Sequence, residues 1–529
     1  MTDHNIIWPV LVHAFTAVLL VFFWKRVTPQ RVISIAGCTV SLAIGVMLFI
    51  RVWNKGILTM QAGNWQAPFG ITFVADTFSA MMVMLTGIAG LAVCIFSTVG
   101  LSVNRMQYGY FPIFHFLLMG LNGAFLTGDI FNLYVWFEII IIASFVLMTL
   151  GGKKQQLEGG IKYVTMNLLA SVIFLTATGV LYGLVGTLNM ADLSIKVAQV
   201  ENRGLVDVVA ILFLVGFGIK SAVFPLYFWL PSSYHAPPAA VAAIFGGLLT
   251  KVGIYALLRV FTLIFVPDPF IANVLIGIAV GTLLAGTFGA LVQRNMRQLF
   301  SYLIVCHIGY MIAGLGMFTQ AALTGALFYL VHDIVVKTNL FMVSGLINKI
   351  RGTMEIRELG SLYRDYPRLT LLFAVVLFSL VGVPPLSGFW PKIFLITAAF
   401  DSKSCLVLAA IVVASFATLF VIARLWSEVF WKDAPPAEAP LVDYFQRMQR
   451  IGKTALVVPV VALAAVSLYI GFAAENINAV AAHVATDLLN PSAYIEAVLG
   501  PDAMRPMPSV TETPGTLNNL EMPEPRQTP

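Results

Sequence analysis

The sequence predicts an all-α membrane protein of about fourteen transmembrane helices, and three observations predict it. Of its 529 residues, 59% are apolar and 11% charged, against about 45–50% and about 25% in soluble domains. Mean hydropathy is +0.89. The apolar residues fall in runs of roughly 20, long enough to cross a hydrocarbon core about 30 Å thick. This composition excludes a water-soluble enzyme, a disordered chain and a nucleic-acid binder. The net charge of +6 is instead that of basic loops flanking membrane spans.

Taken in order, spans are expected at 6–24, 32–52, 71–100, 108–127, 130–150, 161–186, 205–230, 237–264, 271–292, 300–317, 321–348, 369–400, 405–431 and 453–474. The first reads as a retained span, because no basic residue precedes it and Lys25, Arg26 and Arg31 follow it. Five divisions follow: N-terminal helices at 1–107, five spans at 108–264, five more at 271–431, a last helix at 453–474 and a C-terminal segment at 475–529. From about Met504 that segment is rich in Pro, Thr and Glu and is expected to be disordered, since it offers little apolar surface to bury. Cys38, Cys94, Cys306 and Cys405 lie in apolar runs without CxxC spacing, so no disulfide, metal or cofactor site is expected.

Basic residues set the orientation. One set of alternate loops carries Lys25, Arg26, Arg31, Arg105, Lys153, Lys154, Lys162, Arg294, Arg297, Lys349, Arg351, Arg357, Arg364, Arg368, Lys432, Arg447, Arg450 and Lys453. The other side holds only Arg51, Lys55, Lys196, Arg203, Lys403, Arg505 and Arg526. The positive-inside rule then places both termini outside.

Two spans read as broken helices. Span seven contains Pro225, and span twelve contains Gly382-Val383-Pro384-Pro385-Leu386-Ser387-Gly388. Proline removes a backbone donor and clashes with the preceding turn. In a bilayer such a break survives only where protein or a watery cavity satisfies the freed carbonyls. A broken helix in each half points to two inverted five-helix repeats, spans four to eight and nine to thirteen, with a site near the breaks.

Ionisable residues inside the spans carry the functional signal. Lys220 and Lys251 lie deep in spans seven and eight, and Glu138 lies in span five. His332, Asp333 and Lys337 share span eleven, Lys392 follows the double proline, and His307 lies in span ten. Each central charge costs roughly 2.5–3.5 kcal/mol on insertion scales. Several residues also have simpler readings. Arg259 and Arg424 lie near span ends and can snorkel, and Arg424 has Glu428 four residues on. Asp333 and Lys337, also four apart, either neutralise one another or act separately. His332 and Lys337 are five apart, about 140° around a regular helix, and share a face only across a π-bulge. His115 reads as a satisfied core histidine, and His307 either as another or as part of the site.

Glu138, Lys220 and Lys251 have no opposite charge within four residues, so their partners must come from other spans. Desolvation favours a neutral lysine and a nearby carboxylate favours a charged one. A Glu138–Lys220 pair that closes and opens would therefore hold and release a proton. Lys220, Lys251, His332/Lys337 and Lys392 would then form a midplane proton relay. Lysine does not ligate Na⁺, so this row alone does not explain sodium transport. Enzyme signatures such as HExxH, GxSxG and GxGxxG are missing from the sequence. Gly452-Lys453-Thr454 is no P-loop, because Arg447 stands where the first glycine belongs.

Several motifs resemble a known family. They are Gly128-Asp129-Ile130-Phe131-Asn132 through Phe137-Glu138, Gly218-Ile219-Lys220 through Pro225 with Trp229-Leu230-Pro231 and His235-Ala236-Pro237, Arg297 to Tyr310, and Gly382 to Lys392. Together they resemble the proton-conducting membrane module shared by Mrp-type sodium/proton antiporters, complex I and membrane-bound hydrogenases. Within it, the span-eleven string His332 to Asn339 is similar to the D branch of the Mrp antiporter subunits, as is the chain's end after span fourteen. The resemblance implies a Glu138–Lys220 pair, a central Lys251 and a terminal Lys392. Asp129, His307 and Asp333 are further candidates for the site. Asn295 departs from an acidic residue common in relatives. The resemblance also implies a plasma-membrane secondary transporter subunit rather than an enzyme, partnered by the Mrp subunits A, B, C, E, F and G and exchanging Na⁺ for protons. Two alternatives remain: a proton-pumping subunit of a complex I-like quinone oxidoreductase or membrane-bound hydrogenase, and a structural membrane scaffold.

Overall fold

The computed structural model describes residues 3–434 and 443–501; the tail expected to be disordered from about residue 504 lies outside them. Its helices are α1 (Trp8–Phe22), α2 (Val27–Lys55), α3 (Thr77–Gly100), α4 (Tyr110–Leu126), α5 (Ile130–Thr149), α6 (Lys154–Val185) and α7 (Arg203–Ser221). Next come α8 (Ala239–Leu263), α9 (Pro269–Leu291), α10 (Met296–Met317), α11 (Gln320–Arg351), α12 (Pro367–Val381), α13 (Cys405–Trp431) and α14 (Arg450–Phe472). Among the described residues twelve helices are long and apolar enough to cross a membrane, α1 counted with the turn before it; α4 and α12 are shorter apolar helices. The protein is a multi-pass, predominantly helical membrane protein.

The third span begins later than its hydropathy suggests. Thr72–Ala75 is a strand, β2, paired antiparallel with β1 (Leu58–Gln61) in the register Leu58↔Ala75 to Gln61↔Thr72. Asp76 starts the helix: its carboxylate accepts from the Ser79 amide at 2.9 Å, and the Ser79 hydroxyl accepts from the Asp76 amide at 2.9 Å. This reciprocal capping box fixes where α3 begins. Beyond α14 the chain continues as α15 (Ala474–Leu489) and α16 (Ser492–Leu499), which fold back onto the helix ends.

Both expected breaks are present, and they are built alike. α7 stops at Ser221, with Ala222 left-handed (φ +59°) and the Val223 amide donating to Gly218 O at 3.0 Å. α12 stops at Val381, with Gly382 left-handed (φ +88°) and the Val383 amide donating to Phe378 O at 3.1 Å. The chain resumes as Trp229–Ser233 and as Phe389–Asp401. Freed carbonyls find side-chain donors: Trp229 Nε1 donates to Ile219 O at 3.0 Å, and Lys392 Nζ donates to Val381 O at 2.6 Å. A second parallel lies at the helix starts. Asp129 caps α5 and bridges to Asn189, while Asn295 caps α10 and bridges to Glu355.

Burial runs inward in layers. α8 and α11 are enclosed along their apolar windows, and α10 nearly so. α2, α6 and α9 turn apolar residues such as Val32, Val172 and Phe288 outward, as the bilayer requires. The most enclosed helices therefore carry Lys251, His307, His332, Asp333 and Lys337.

Candidate functional site

The centre of the site depends on two glycines. Residues Phe245–Leu249 of α8 form a single π turn, a feature common at functional sites. A Cβ on Gly247 would lie 2.0 Å from Thr338 Oγ1, and one on Gly246 would lie 2.7 Å from the Phe341 ring. The bare backbone thus lets α8 press against α11. Within the π turn the Gly246 carbonyl accepts from Lys251 Nζ at 2.7 Å.

This approach delivers Lys251 to a carboxylate. Lys251 Nζ lies 2.7 Å from Asp333 Oδ2, and His307 Nδ1 lies 2.7 Å from Asp333 Oδ1. All three side chains are fully buried. An Nδ1–H on His307 donates to the carboxylate, which leaves Nε2 without a partner. Tyr329 packs edge-on to His307 and His332 with ring centroids 5.3 and 5.6 Å away, and stacks on Tyr310 at 4.7 Å.

Asp333 therefore pairs across helices and not with Lys337 on its own helix. Lys337 is fully buried and its Nζ has no hydrogen-bond partner. α11 is regular throughout, so His332 and Lys337 point to different sides, and the π turn belongs to α8. His332 Nδ1 instead meets Ser387 Oγ at 2.8 Å inside the α12 break; Ser387 meets Ser467 of α14 at 2.8 Å, and Ser467 donates to Ser379 at 3.2 Å. Lys392, 5% exposed, sits over the Tyr310 ring at 5.6 Å.

On the other side of Lys251 the expected Glu138–Lys220 pair is apart. Lys220 Nζ donates to Ser171 Oγ at 3.2 Å and lies over the Phe137 ring at 4.8 Å. Glu138 is half-buried, and its Oε1 has no hydrogen-bond partner. A cavity of about 20 Å³ lies beside Lys220, lined also by Asn167 and Tyr163 and by Val252 and Gly253 of α8. That is room for about one water.

Other residues take simpler or different roles. Asp129 accepts from the Asn132 amide at 2.7 Å; it is a helix cap. Arg259 does not snorkel: it is 5% exposed and bonds Asp76 at 2.5 Å, with Tyr255 and Tyr494 against its guanidinium. Arg424 donates to Leu291 O at 2.9 Å, while Glu428 pairs with Lys432 at 3.0 Å. His115 is satisfied by His13 and Ser34, each at 2.9 Å. Sequence reasoning missed Ser171, Tyr329, Ser467 and the Gly246 carbonyl. It took Ser387 only as part of a break.

Buried lysines, a carboxylate and histidines strung between two broken helices define an intramembrane ion-pathway protein. Comparison with known proteins narrows this. Residues 127–418 match the family described as NADH:quinone oxidoreductase/Mrp antiporter, TM. The chain is 43% identical over 498 residues to the D subunit of the Na(+)/H(+) antiporter of Alkalihalophilus pseudofirmus, covering 94% of this chain and 99% of that one. It is 39% identical over 498 residues to the protein of the same name from Bacillus subtilis, with the same coverage. A chain in the structure of the Mrp complex from Dietzia sp. DQ12-45-1b superposes with a TM-score of 0.87 at 30% identity, covering 94% of this chain and 100% of that one. The chain belongs to the NADH:quinone oxidoreductase/Mrp antiporter transmembrane family.

Proposed function

We propose that this chain is the proton-translocating subunit of a multisubunit monovalent-cation (Na⁺)/proton antiporter. It works in the cell membrane with both termini outward, beside the other Mrp subunits (A, B, C, E, F and G). The observation that carries the relay is the fully buried Lys251–Asp333–His307 cluster, flanked by Lys220 and Lys392 at the two helix breaks. The matching caps and breaks of the two halves support inverted repeats over spans four to eight and nine to thirteen.

The relay works by exchanging partners. With Glu138 withdrawn, Lys220 holds only a neutral hydroxyl, and its proton passes toward α8 through the one-water cavity. Arrival of charge beside Lys251 weakens the Lys251–Asp333 bridge by like-charge repulsion. Asp333 has a second lysine available, because Lys337 lies one helical turn away on the same helix with no partner of its own. His307 keeps the carboxylate anchored through the change. His332, Ser387 and Lys392 then carry the proton across the second break. Moving one charge through 100 mV is worth about 2.3 kcal/mol, which drives the partner changes.

The test is a Na⁺ jump applied to proteoliposomes holding the complete complex, with an internal pH dye. Proton movement that follows the Na⁺ gradient and needs no electron donor supports the proposal. Proton movement only with quinone or hydrogenase chemistry would replace it with a redox-driven pump.

A further inference from the structure

A polar cavity lies away from the relay, at the Lys/Arg-rich end of the helices. It measures about 320 Å³ and sits among the end of α3, the starts of α6, α8, α10 and α14, and the end of α11. Arg105, Lys153, Arg297 and Lys349 line it, and no carboxylate among the described residues does. None of the four has a salt-bridge partner among the described residues. Arg297 is 9% exposed, yet its hydrogen bonds are to neutral groups: Nε to Ser344 Oγ and Nη1 to Pro237 O, both at 3.2 Å. A cleft lined by one sign of charge focuses its potential and concentrates the opposite charge. Phe96 and Leu456 supply apolar wall beside the cations. The cavity volume is at the low end for small-molecule sites, about 300–1,000 Å³.

We propose that this cavity binds a phosphate group, carried by the headgroup of an anionic phospholipid. Three features of the site favour that source. It lies where spanning helices end, the depth of lipid phosphates. It combines cations with apolar wall, as a phosphodiester attached to glycerol requires. Its two arginines offer the planar fork that matches phosphate oxygens, and its lysines add point charge. A bound phosphate would tie the segment after α3 to the starts of α6 and α10 and the end of α11, whose cations otherwise repel one another.

The test uses the intact complex in detergent, equilibrated with micelles of phosphatidylglycerol in phosphatidylcholine, with bound phosphatidylglycerol counted by native mass spectrometry. Arg105→Gln/Lys153→Gln/Lys349→Gln is compared with Lys25→Gln/Arg368→Gln/Arg450→Gln, which removes the same charge from exposed positions at the same end. The cavity variant is expected to bind phosphatidylglycerol on the order of tenfold to a hundredfold more weakly, and the control to match wild type. Lys153→Gln alone, at an exposed position, gives a several-fold loss and serves if the triple variant does not assemble. Failure of millimolar inorganic phosphate to displace the lipid assigns the lipid as source; displacement keeps the phosphate site and assigns a soluble source. Equal binding by cavity and control variants overturns the proposal. So does a cavity variant that sheds a partner subunit while binding lipid normally, which would assign the cavity to an acidic protein segment.

Discussion

Asp333 on α11 holds Lys251 of α8 at 2.7 Å, although Lys337 stands four residues away on its own helix. The choice is made by backbone approach. Glycines at 246 and 247 let α8 close on α11 at Thr338 and Phe341, and the cross-helix pair forms where the two helices touch. Lys337 is thereby left as a buried amine in reserve.

Restoring a side chain at the contact should separate the helices. Gly247→Ala places a methyl 2.0 Å from Thr338 Oγ1, an overpacking expected to cost about 1–3 kcal/mol and to weaken the Lys251–Asp333 bridge. Adding Thr338→Ala removes the clashing hydroxyl and should recover most of the loss. Thermal stability of the purified complex checks both; an unaltered single variant would contradict the packing argument.

Asp333→Asn leaves Lys251 buried without its counter-charge. Breaking such a pair costs about 3–5 kcal/mol, so complex abundance should fall well below that of Lys337→Met, which removes an unpartnered amine. Quantifying both complexes after mild detergent extraction compares them directly.

The relay charges are legible in the sequence because lysine in an apolar run is conspicuous: Lys220, Lys251, Lys337 and Lys392 stand out on cost alone. The breaks are legible through Pro225 and the Gly382–Gly388 run. Partners are not. Asp333 has a local lysine at helical spacing, and nothing one-dimensional shows that α8 lies nearer. His332 and Lys337 would need a π turn in α11 to share a face, yet the turn forms in α8 around a Gly-Gly pair that reads as ordinary packing. Arg259 reads as a snorkelling side chain because its partner, Asp76, lies 183 residues earlier at a helix cap. Asp129 sits within a motif but does a cap's work. Ser387 and Ser467 carry no signal, since small hydroxyls are common in membrane helices.

The buried Arg259–Asp76 pair should behave unlike the relay. Arg259→Gln or Asp76→Asn strands one charge and is expected to cost about 3–5 kcal/mol, while the double variant should be milder. Transport per assembled complex should stay near wild type in all three. A double-variant cycle on complex abundance, with transport normalised to it, separates this structural role from proton transfer.

The hydroxyl bridge at the second break predicts a transport defect without misassembly. Ser387→Ala removes the partner of His332 Nδ1 at 2.8 Å and should lower cation-driven proton flux roughly tenfold, the scale of one lost hydrogen bond to a proton-transfer group. Ser387→Thr keeps the hydroxyl and should retain more flux than Ser387→Ala. Equal flux in the two would remove Ser387 from the path.

The central claim is that protons cross through the buried lysines. Its most direct test is cation-dependent ΔpH dissipation in inverted vesicles containing the complete complex, comparing wild type with Lys220→Ala at matched complex abundance. The relay predicts that Na⁺-driven proton movement is lost while the complex remains assembled. Full activity in the variant would contradict it and assign the buried charges to helix packing, with the proton path in a partner subunit.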